Sequence, residues 1–505
     1  MFVCGDEVHG EGRVRSCFAE EKTSCGEERM MNIMCVCVVC VCEKLSAVFR
    51  IQRRFESNEI QRNPTMLSTK RPNWTICALG SFALGAVSTF VVRRAIVGTP
   101  PKILVEKKKS DESDPVRDAL IAKTEKLDPT EFRMPAEWEK HQGCWMGFPE
   151  RGDNWSQSAV PAQKKFAAVA EAISKFENVT VCASPTSWHI ARDLLPVHIR
   201  VIEMSQDDSW FRDQAPIFVV HKVTGRLAAV CWDFNAWGRV CYDSWDQDKL
   251  ISKKIADIER VPRMFPKMIL EGGSIHVDGE GTLMTTVECL LEKNVVNHTK
   301  RNPDMTKKDI EARLSKYLSI SKFIWLPKGV HGDEDTNGHV DNMACFLGPG
   351  VVALHWTDDK KDPQYERSKS ALNVLENETD ARGRKIRVVK MYKPRKLLRR
   401  KEECPIAADG TAERTEGEEM PGSYINFYMC RGRKGERGVV LPQFGDVERD
   451  ALAVKTLKDA FKDMKLDVEI SPVMSREILC GGGNIHCITQ QQPLEHWQGN
   501  SPTTT

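Results

Sequence analysis

The sequence predicts an α/β fold in which strands and helices alternate, and three observations predict it. Short runs of β-branched and apolar residues recur: VTVCA (179–183), IFVV (217–220), RLAAVCW (226–232) and VVAL (351–354). Between them lie stretches such as PAQKKFAAVAEAISKF (161–176) and ERDALAVKTLKDAFKD (448–463), whose apolar residues sit three and four apart, the period of a helix packed on one face. Finally, LEGGSIH (270–276) and CGGGNIH (480–486) align without gaps at an offset of 210 residues. Like segments at a fixed offset suggest repeated supersecondary units. If a domain of about 360 residues holds five units of about 70, that offset is three units. Both motifs are then the same strand–turn element, meeting round a common centre to which one copy brings Glu271 and the other Cys487.

The 505 residues allow one large domain and an extension, or two to three ordinary domains. Hydrophobic residues make up 41% and charged residues 29%, a globular balance, and a net charge of +2 gives no overall attraction to nucleic acid. Of 18 cysteines, those from Cys144 to Cys487 are scattered without CxxC pairs. That pattern predicts buried thiols in a reducing compartment rather than a disulfide framework or a zinc site. CVCVVCVC (35–42) is read as part of an irregular leader rather than a soft-metal site.

Residues 1–65 show no sustained periodicity and are expected to be a disordered or non-mature leader. Within 66–97 lies TICALGSFALGAVSTFVV (75–92), uncharged and bracketed by Lys70/Arg71 and Arg93/Arg94. It just exceeds the roughly 17 residues a membrane-spanning helix needs, and small polar residues dilute it. Three readings stand open: a membrane anchor, a cleaved or organelle-targeting leader, and a buried helix. Arg93 and Arg94 weakly favour the following domain on the cytoplasmic side, an argument blunted by the basic residues on both flanks. Residues 98–133, with Pro100-Pro101 and KKKSDESD (107–114), read as a charged linker. Dense globular texture runs over 134–493, followed by a tail at 494–505. Within it, 400–422 is polar and reads as a surface excursion.

Polar residues concentrate in DDSWFRD (207–213), LEGGSIHVDGEGT (270–282), GDEDTNGHVDN (332–342) and the GGGNIHC stretch. On an extended WFRD, Trp210 and Arg212 share one face and Asp213 takes the other. On a strand at GHVDN, His339 and Asp341 point the same way, an acid/base pair or simply a solvated face. Alone, Asp213 is explained by an ion pair or loop cap, and Glu271 by a turn cap. Together, three carboxylates, a histidine and a cysteine form a coherent set. Carboxylates bind a cation, a guanidinium pairs with them two-pronged, and a neighbouring cation favours the nucleophilic thiolate.

The stretches MPAEWEKHQGCWMGFP (134–149), DDSWFRDQAP (207–216), WDFNAWG (232–238), LEGGSIHVDGEGTLMTT (270–286), WLPKGVHGDEDTNGHVDN (325–342), SYINFY (423–428), LPQFGD (441–446) and LCGGGNIHCITQQQP (479–493) resemble the agmatine deiminases of the Porphyromonas-type peptidylarginine deiminase family, in the family's order. The resemblance implies the pentein fold, a five-bladed α/β propeller of pseudo-fivefold ββαβ-type units with its active site at the centre. It implies a hydrolase that converts agmatine to N-carbamoylputrescine and ammonia in polyamine biosynthesis, through a covalent S-alkylthiouronium intermediate, with no cofactor and no metal. A homo-oligomer is expected. By position, Cys487 is the nucleophile, His339 the general acid/base, Asp213 and Asp341 the guanidinium-binding carboxylates and Glu271 the further acid. Trp210 and Trp145 are expected to line the substrate pocket. His486 is expected to pack or hold backbone, and nothing catalytic is expected in 400–422. A deiminase of free or peptidyl arginine is the alternative. A non-catalytic pentein that binds the ribosome is the remoter one, and it would not need the cysteine, histidine and carboxylates together.

Overall fold

The computed structural model describes residues 127–495, so the leader 1–65, the apolar stretch 75–92 and most of the linker and tail lie outside the described residues. Among the described residues no helix is long and apolar enough to cross a membrane. The packed chain begins slightly ahead of Met134. Asp128 caps a 3-10 turn, Pro129–Glu131, and Phe132–Arg133 pairs as a short strand with His221 and Val220.

Five small sheets follow, each built the same way: an antiparallel hairpin, a helix, then a third strand parallel to the second. The first blade is Ile217–His221, Leu227–Val230 and Arg263–Met264, with helix Asp248–Ile258. The second is Ile275–Val277, Thr282–Thr286 and Lys322–Leu326, with helix Lys307–Leu318. The third is Ala344–Gly348, Val351–Trp356 and Arg387–Tyr392, with helix Gln364–Asn377. The fourth is Tyr428–Arg431, Arg437–Gln443 and Glu469–Met474, with helix Val447–Asp463.

The fifth blade is assembled from both ends of the fold. Thr489–Pro493 runs antiparallel to His141–Gly147, which leads through helix Val160–Ser174 to Val179–Ala183 and Arg200–Glu203. This pairing closes the five blades into a ring, the pentein fold.

Local sequence explains the elements. In the fourth blade's helix, Asp446 accepts a hydrogen bond from the Arg449 amide, satisfying one of the free N–H groups of the first turn. Ala453, Leu457, Ala460 and Phe461 fall on one buried face at helical spacing. Val351–Trp356 is buried along its whole length, as expected of a strand covered on both sides. The ten cysteines of the described residues are all free, and nine are buried.

The two glycine motifs stand three blades apart, each leading into the first strand of its blade, as the 210-residue offset requires. Their local shapes differ. Gly272–Ser274 is a 3-10 turn and His276 already lies on the strand, whereas His486 sits in the turn ahead of Thr489. The two histidines still meet, with ring centroids 6.1 Å apart.

WFRD and GHVDN are not extended. Phe211–Gln214 and Val340–Met343 are single helical turns that deliver the chain into the first and third blades. Pro216 holds Ala215 extended and so ends the first turn.

Ring closure carries a bond that can be tested. Trp145 donates its indole N–H to Gln492 Oε1 at 2.8 Å, joining strand His141–Gly147 to the last strand, and Gln492 Nε2 donates to Glu259. Replacing Gln492 with Leu strands both groups. Denaturant unfolding should show a loss of about 1–3 kcal/mol, with the pocket's ligand affinity unchanged.

Candidate active site

Each blade is entered through a short turn just ahead of its first strand, and each of these turns turns a polar side chain to the ring centre. They supply Asp213, Glu271, His339 with Asp341, Asn426 and Cys487 in chain order, and all six are buried. The strands, with side chains packed on both faces, leave the turns as the places where such groups can converge.

Gly273 is the hub. A side chain begun there would lie 2.6 Å from His339 Nδ1, 2.9 Å from Asp341 Oδ2 and 3.1 Å from Asp213 Oδ1. The missing Cβ is what lets two carboxylates and an imidazole come this close. Asp213 is held by the Gly273 amide at 2.9 Å and the Trp237 indole N–H at 2.8 Å. Trp237 stands in a turn whose residues Ala236, Trp237, Gly238 and Arg239 all have positive φ, a strained conformation that aims the indole at Asp213. Burial pushes the Asp213 pKa up to about 6; His339 opposes this and the charges of Asp341 and Glu271 add to it.

Cys487 Sγ lies 3.6 Å from Asp341 Oδ2 and accepts a hydrogen bond from Asn426 Nδ2 at 3.1 Å. The orientation of that amide follows from its other end, since Asn426 Oδ1 accepts from the backbone N–H of His486 at 3.0 Å and of Cys487 at 3.3 Å. Burial, then Asp341 and Asp213, hold the Cys487 thiol well above its ordinary pKa, so it is neutral while no cation is bound.

His339 Nε2 lies 3.6 Å from Glu271 Oε2, and Arg301 Nε donates to Glu271 Oε1 at 2.7 Å. Burial lowers the His339 pKa, but Asp213, Cys289 and Glu271 outweigh it and keep the ring protonated. Neither ring nitrogen has a hydrogen-bond partner among the described residues, and Asp341 Oδ1 is likewise unpartnered.

Of these groups Asp213 and Cys487 line a pocket whose walls also include Trp210, Trp237, Tyr242, Asp335, Arg414 and Gly481 to Gly483. Trp210 stacks on Trp155 at 5.2 Å and donates to Asp208 at 2.9 Å. Gly483 carries no side chain because one would press on Trp210 and Cys487 at 2.6 and 3.0 Å.

Residues 133–493 match the Porphyromonas-type peptidyl-arginine deiminase family. An agmatine deiminase of Medicago truncatula is 50% identical over 374 residues, covering 72% of this chain and 96% of its own. One of Pseudomonas aeruginosa is 48% identical over 369 residues, with 72% and 95% covered. The solved agmatine deiminase of Enterococcus faecalis superposes with a TM-score of 0.67 at 40% identity, over 73% of this chain and 98% of that one. The chain belongs to the agmatine deiminase family.

In this family member the structure brings together Asp213, Glu271, His339, Asp341 and Cys487, with Trp210 on the pocket wall. Trp145 is not there. Alternation along its strand sends Cys144 and Met146 toward the cluster that contains Cys487, and Trp145 to the opposite face with Cys182 and Phe211. His486 does more than pack, since both its ring nitrogens are bonded to carboxylates.

Several pocket or site residues went unmarked in the sequence, Tyr242 of the pocket wall among them. Asn426 and Trp237 lie inside SYINFY and WDFNAWG, where nothing set them apart from framework. Asp335 lies beside the GHVDN pair. Arg414 comes from the polar 400–422 excursion, most of which is exposed, yet it turns inward to bond Asp335 at 2.9 and 2.7 Å.

Three thiols lie near this centre: Cys487 and Cys241 line the pocket, the latter with its thiol turned to the Asp335 carbonyl, and Cys289 does not. Cys289 contacts Glu271 and His339 but is absent from the pocket wall, and its thiol faces the Thr336 carbonyl. Donor atoms of Glu271, Cys289 and His339 cluster closely enough to hold a metal, but Arg301 already supplies the cation facing Glu271.

The hub makes a sharp prediction. Gly273→Ala should fold with little loss of stability but cut kcat/KM about 100-fold or more, the scale expected for displacing reacting groups by about 1 Å. Steady-state kinetics beside a thermal melt would check both halves.

Proposed function

We propose that this chain is an agmatine deiminase that hydrolyses agmatine to N-carbamoylputrescine and ammonia through a covalent bond to Cys487. The observation that carries this reading is the pair of buried carboxylates beside Gly273, set against a buried thiol and a protonated histidine. The relatives named agmatine deiminase support the substrate.

Asp213 and Asp341 take the guanidinium two-pronged. Its single positive charge offsets the anions that hold the Cys487 thiol neutral, so substrate binding itself favours the thiolate, and the thiol proton passes to solvent. Cys487 Sγ then bonds to the guanidinium carbon, with Asn426 Nδ2 steadying the sulfur. His339 gives its proton to the departing nitrogen, the C–N bond breaks and ammonia leaves an S-alkylthiouronium. Water, giving one proton to His339, bonds to the same carbon, the C–S bond breaks, the remaining hydroxyl proton restores the Cys487 thiol and the ureido product departs. Glu271, backed by Arg301, orients His339.

The pocket wall favours an ammonium over a carboxylate at the far end of the substrate. Its second carboxylate is Asp335, and its single cation among the described residues, Arg414, is committed to Asp335, Asn154 and Gly481. Arginine's α-carboxylate would face Asp335. With ammonia and ureido product measured, agmatine should be turned over at least about 100-fold more efficiently than arginine, the cost of one unpaired buried charge. Asp335→Asn should narrow that gap. Faster turnover of arginine would overturn the substrate assignment in favour of an arginine deiminase.

The carboxylates also set a pH dependence. Asp213 must be ionised to hold the guanidinium, so kcat/KM, which reports the free enzyme, should fall as pH drops through about 6. An acid limb near the ordinary aspartate value would remove Asp213 from this role.

A further inference from the structure

Behind the pocket, His486 bridges two buried carboxylates. Its Nδ1 lies 2.8 Å from Asp341 Oδ2 and its Nε2 2.8 Å from Glu137 Oε2. A carboxylate only accepts, so both ring nitrogens must donate and the ring is an imidazolium. Glu137 is anchored in turn by the Met429 amide at 2.7 Å and faces Arg212 Nη2 at 3.9 Å. The chain Glu137–His486–Asp341 thus runs from the loop ahead of the fifth blade, through the cysteine's own turn, to the guanidinium site.

A metal centre at Glu137, His276 and His486 would use the same atoms, and the structure argues against it. Phe346 donates its amide to His276 Nδ1 at 3.4 Å, which puts the ring proton on Nε2, the atom facing Glu137. A protonated nitrogen is no ligand, and the Arg212 guanidinium supplies the cation. Pure structural glue is the other reading. What separates His486 from glue is which oxygen it takes: it occupies Asp341 Oδ2 and leaves Oδ1, which has no partner among the described residues.

We propose that His486 is a positioning residue for the deiminase reaction: its imidazolium, braced by Glu137, fixes the Asp341 carboxylate so that Oδ1 presents to the guanidinium. The inference rests on Asp341 binding the guanidinium, as in the proposed function. The charged and titratable groups facing this bridge are Glu137, Asp341, Arg212, His276, Cys345 and Cys487, with His339 and Asp213 beside its Asp341 end. Glu137 and Asp341 together hold the His486 pKa above its ordinary value against burial and Arg212, and His486 in turn holds Asp341 below the usual carboxylate value against burial.

The test measures agmatine binding by calorimetry in an inactive Cys487→Ser background, and kinetics in the active enzyme. His486→Asn keeps a donor toward Asp341 but loses the charge and the Glu137 brace. It should weaken agmatine binding about tenfold or more, and raise KM more than it lowers kcat, the signature of lost ground-state binding. The acid limb of kcat/KM, set by Asp213 beside Asp341, should move to higher pH, because loss of the imidazolium leaves the paired carboxylates harder to ionise together. Glu137→Gln should shift the same quantities in the same direction by less, and it keeps the fold testable if His486→Asn unfolds. Variants that lower the melting temperature while leaving affinity and the acid limb where they were would reduce His486 to glue and overturn the proposal. If the Cys487→Ser protein with His486 intact fails to bind agmatine, the substrate reading fails instead.

Discussion

Two carboxylates buried side by side set the terms for the centre of this molecule. Asp213 and Asp341 lie about 6 Å apart at most, since both are within 3.1 Å of one point at Gly273. Two charges so placed repel by about 3 kcal/mol even at an effective dielectric of about 20. The protein offsets this from behind. His339 lies toward Asp213 and Glu271, His486 is bonded to Asp341, and Arg301 and Arg212 face Glu271 and Glu137. Signs therefore alternate outward from the pocket, whose own surface remains acidic. A planar cation fills that demand, and the same demand keeps the thiol neutral until the cation arrives.

Such a cluster cannot be built on one element, because the folding chain would have to bury several charges before their partners were present. Here five turns from five blades each contribute one or two groups, and the set is complete only when the last strand pairs with His141–Gly147. Cys487 stands two residues ahead of that closing strand, so the pairing that closes the ring also sets the position of this thiol. The left-handed turn at Trp237 and the φ of +110° at Gly482 are local costs of aiming these turns inward.

The architecture was largely legible in the sequence because it repeats. Helical and strand periods marked 161–176, 448–463, 179–183 and 351–354 closely, and the glycine echo correctly separated its copies by three units. The convergence of Asp213, His339, Asp341 and Cys487 was legible from motif content. The local shapes were not: WFRD and GHVDN are too short to show a period, and each is a single helical turn bent by its role as a blade entry. Residues whose significance comes from across the ring left no signal along the chain. Asn426 matters because the Cys487 and His486 amides orient it, and Arg414 because Asp335 draws one side chain of an exposed loop inward. Trp145 misled because it lies one residue from Cys144 and Met146, and on a strand that single step reverses the face. His486 was expected only to pack or hold backbone, but it sits in a turn, where strand alternation does not set which way a side chain points.

The central claim is that the pocket's anions keep Cys487 neutral and a bound guanidinium-like cation releases its proton. The most direct measurement is the pH dependence of Cys487 alkylation by a neutral haloacetamide against a cationic haloacetamidine, followed by mass spectrometry of the 480–493 peptide. The account predicts that the neutral reagent labels Cys487 slowly throughout the neutral range and gains rate only at alkaline pH. The cationic reagent, which fits between Asp213 and Asp341, should label it rapidly near neutrality. Equal pH profiles for the two reagents, with a midpoint below the ordinary thiol value, would show a thiolate already present in the empty site and contradict the account.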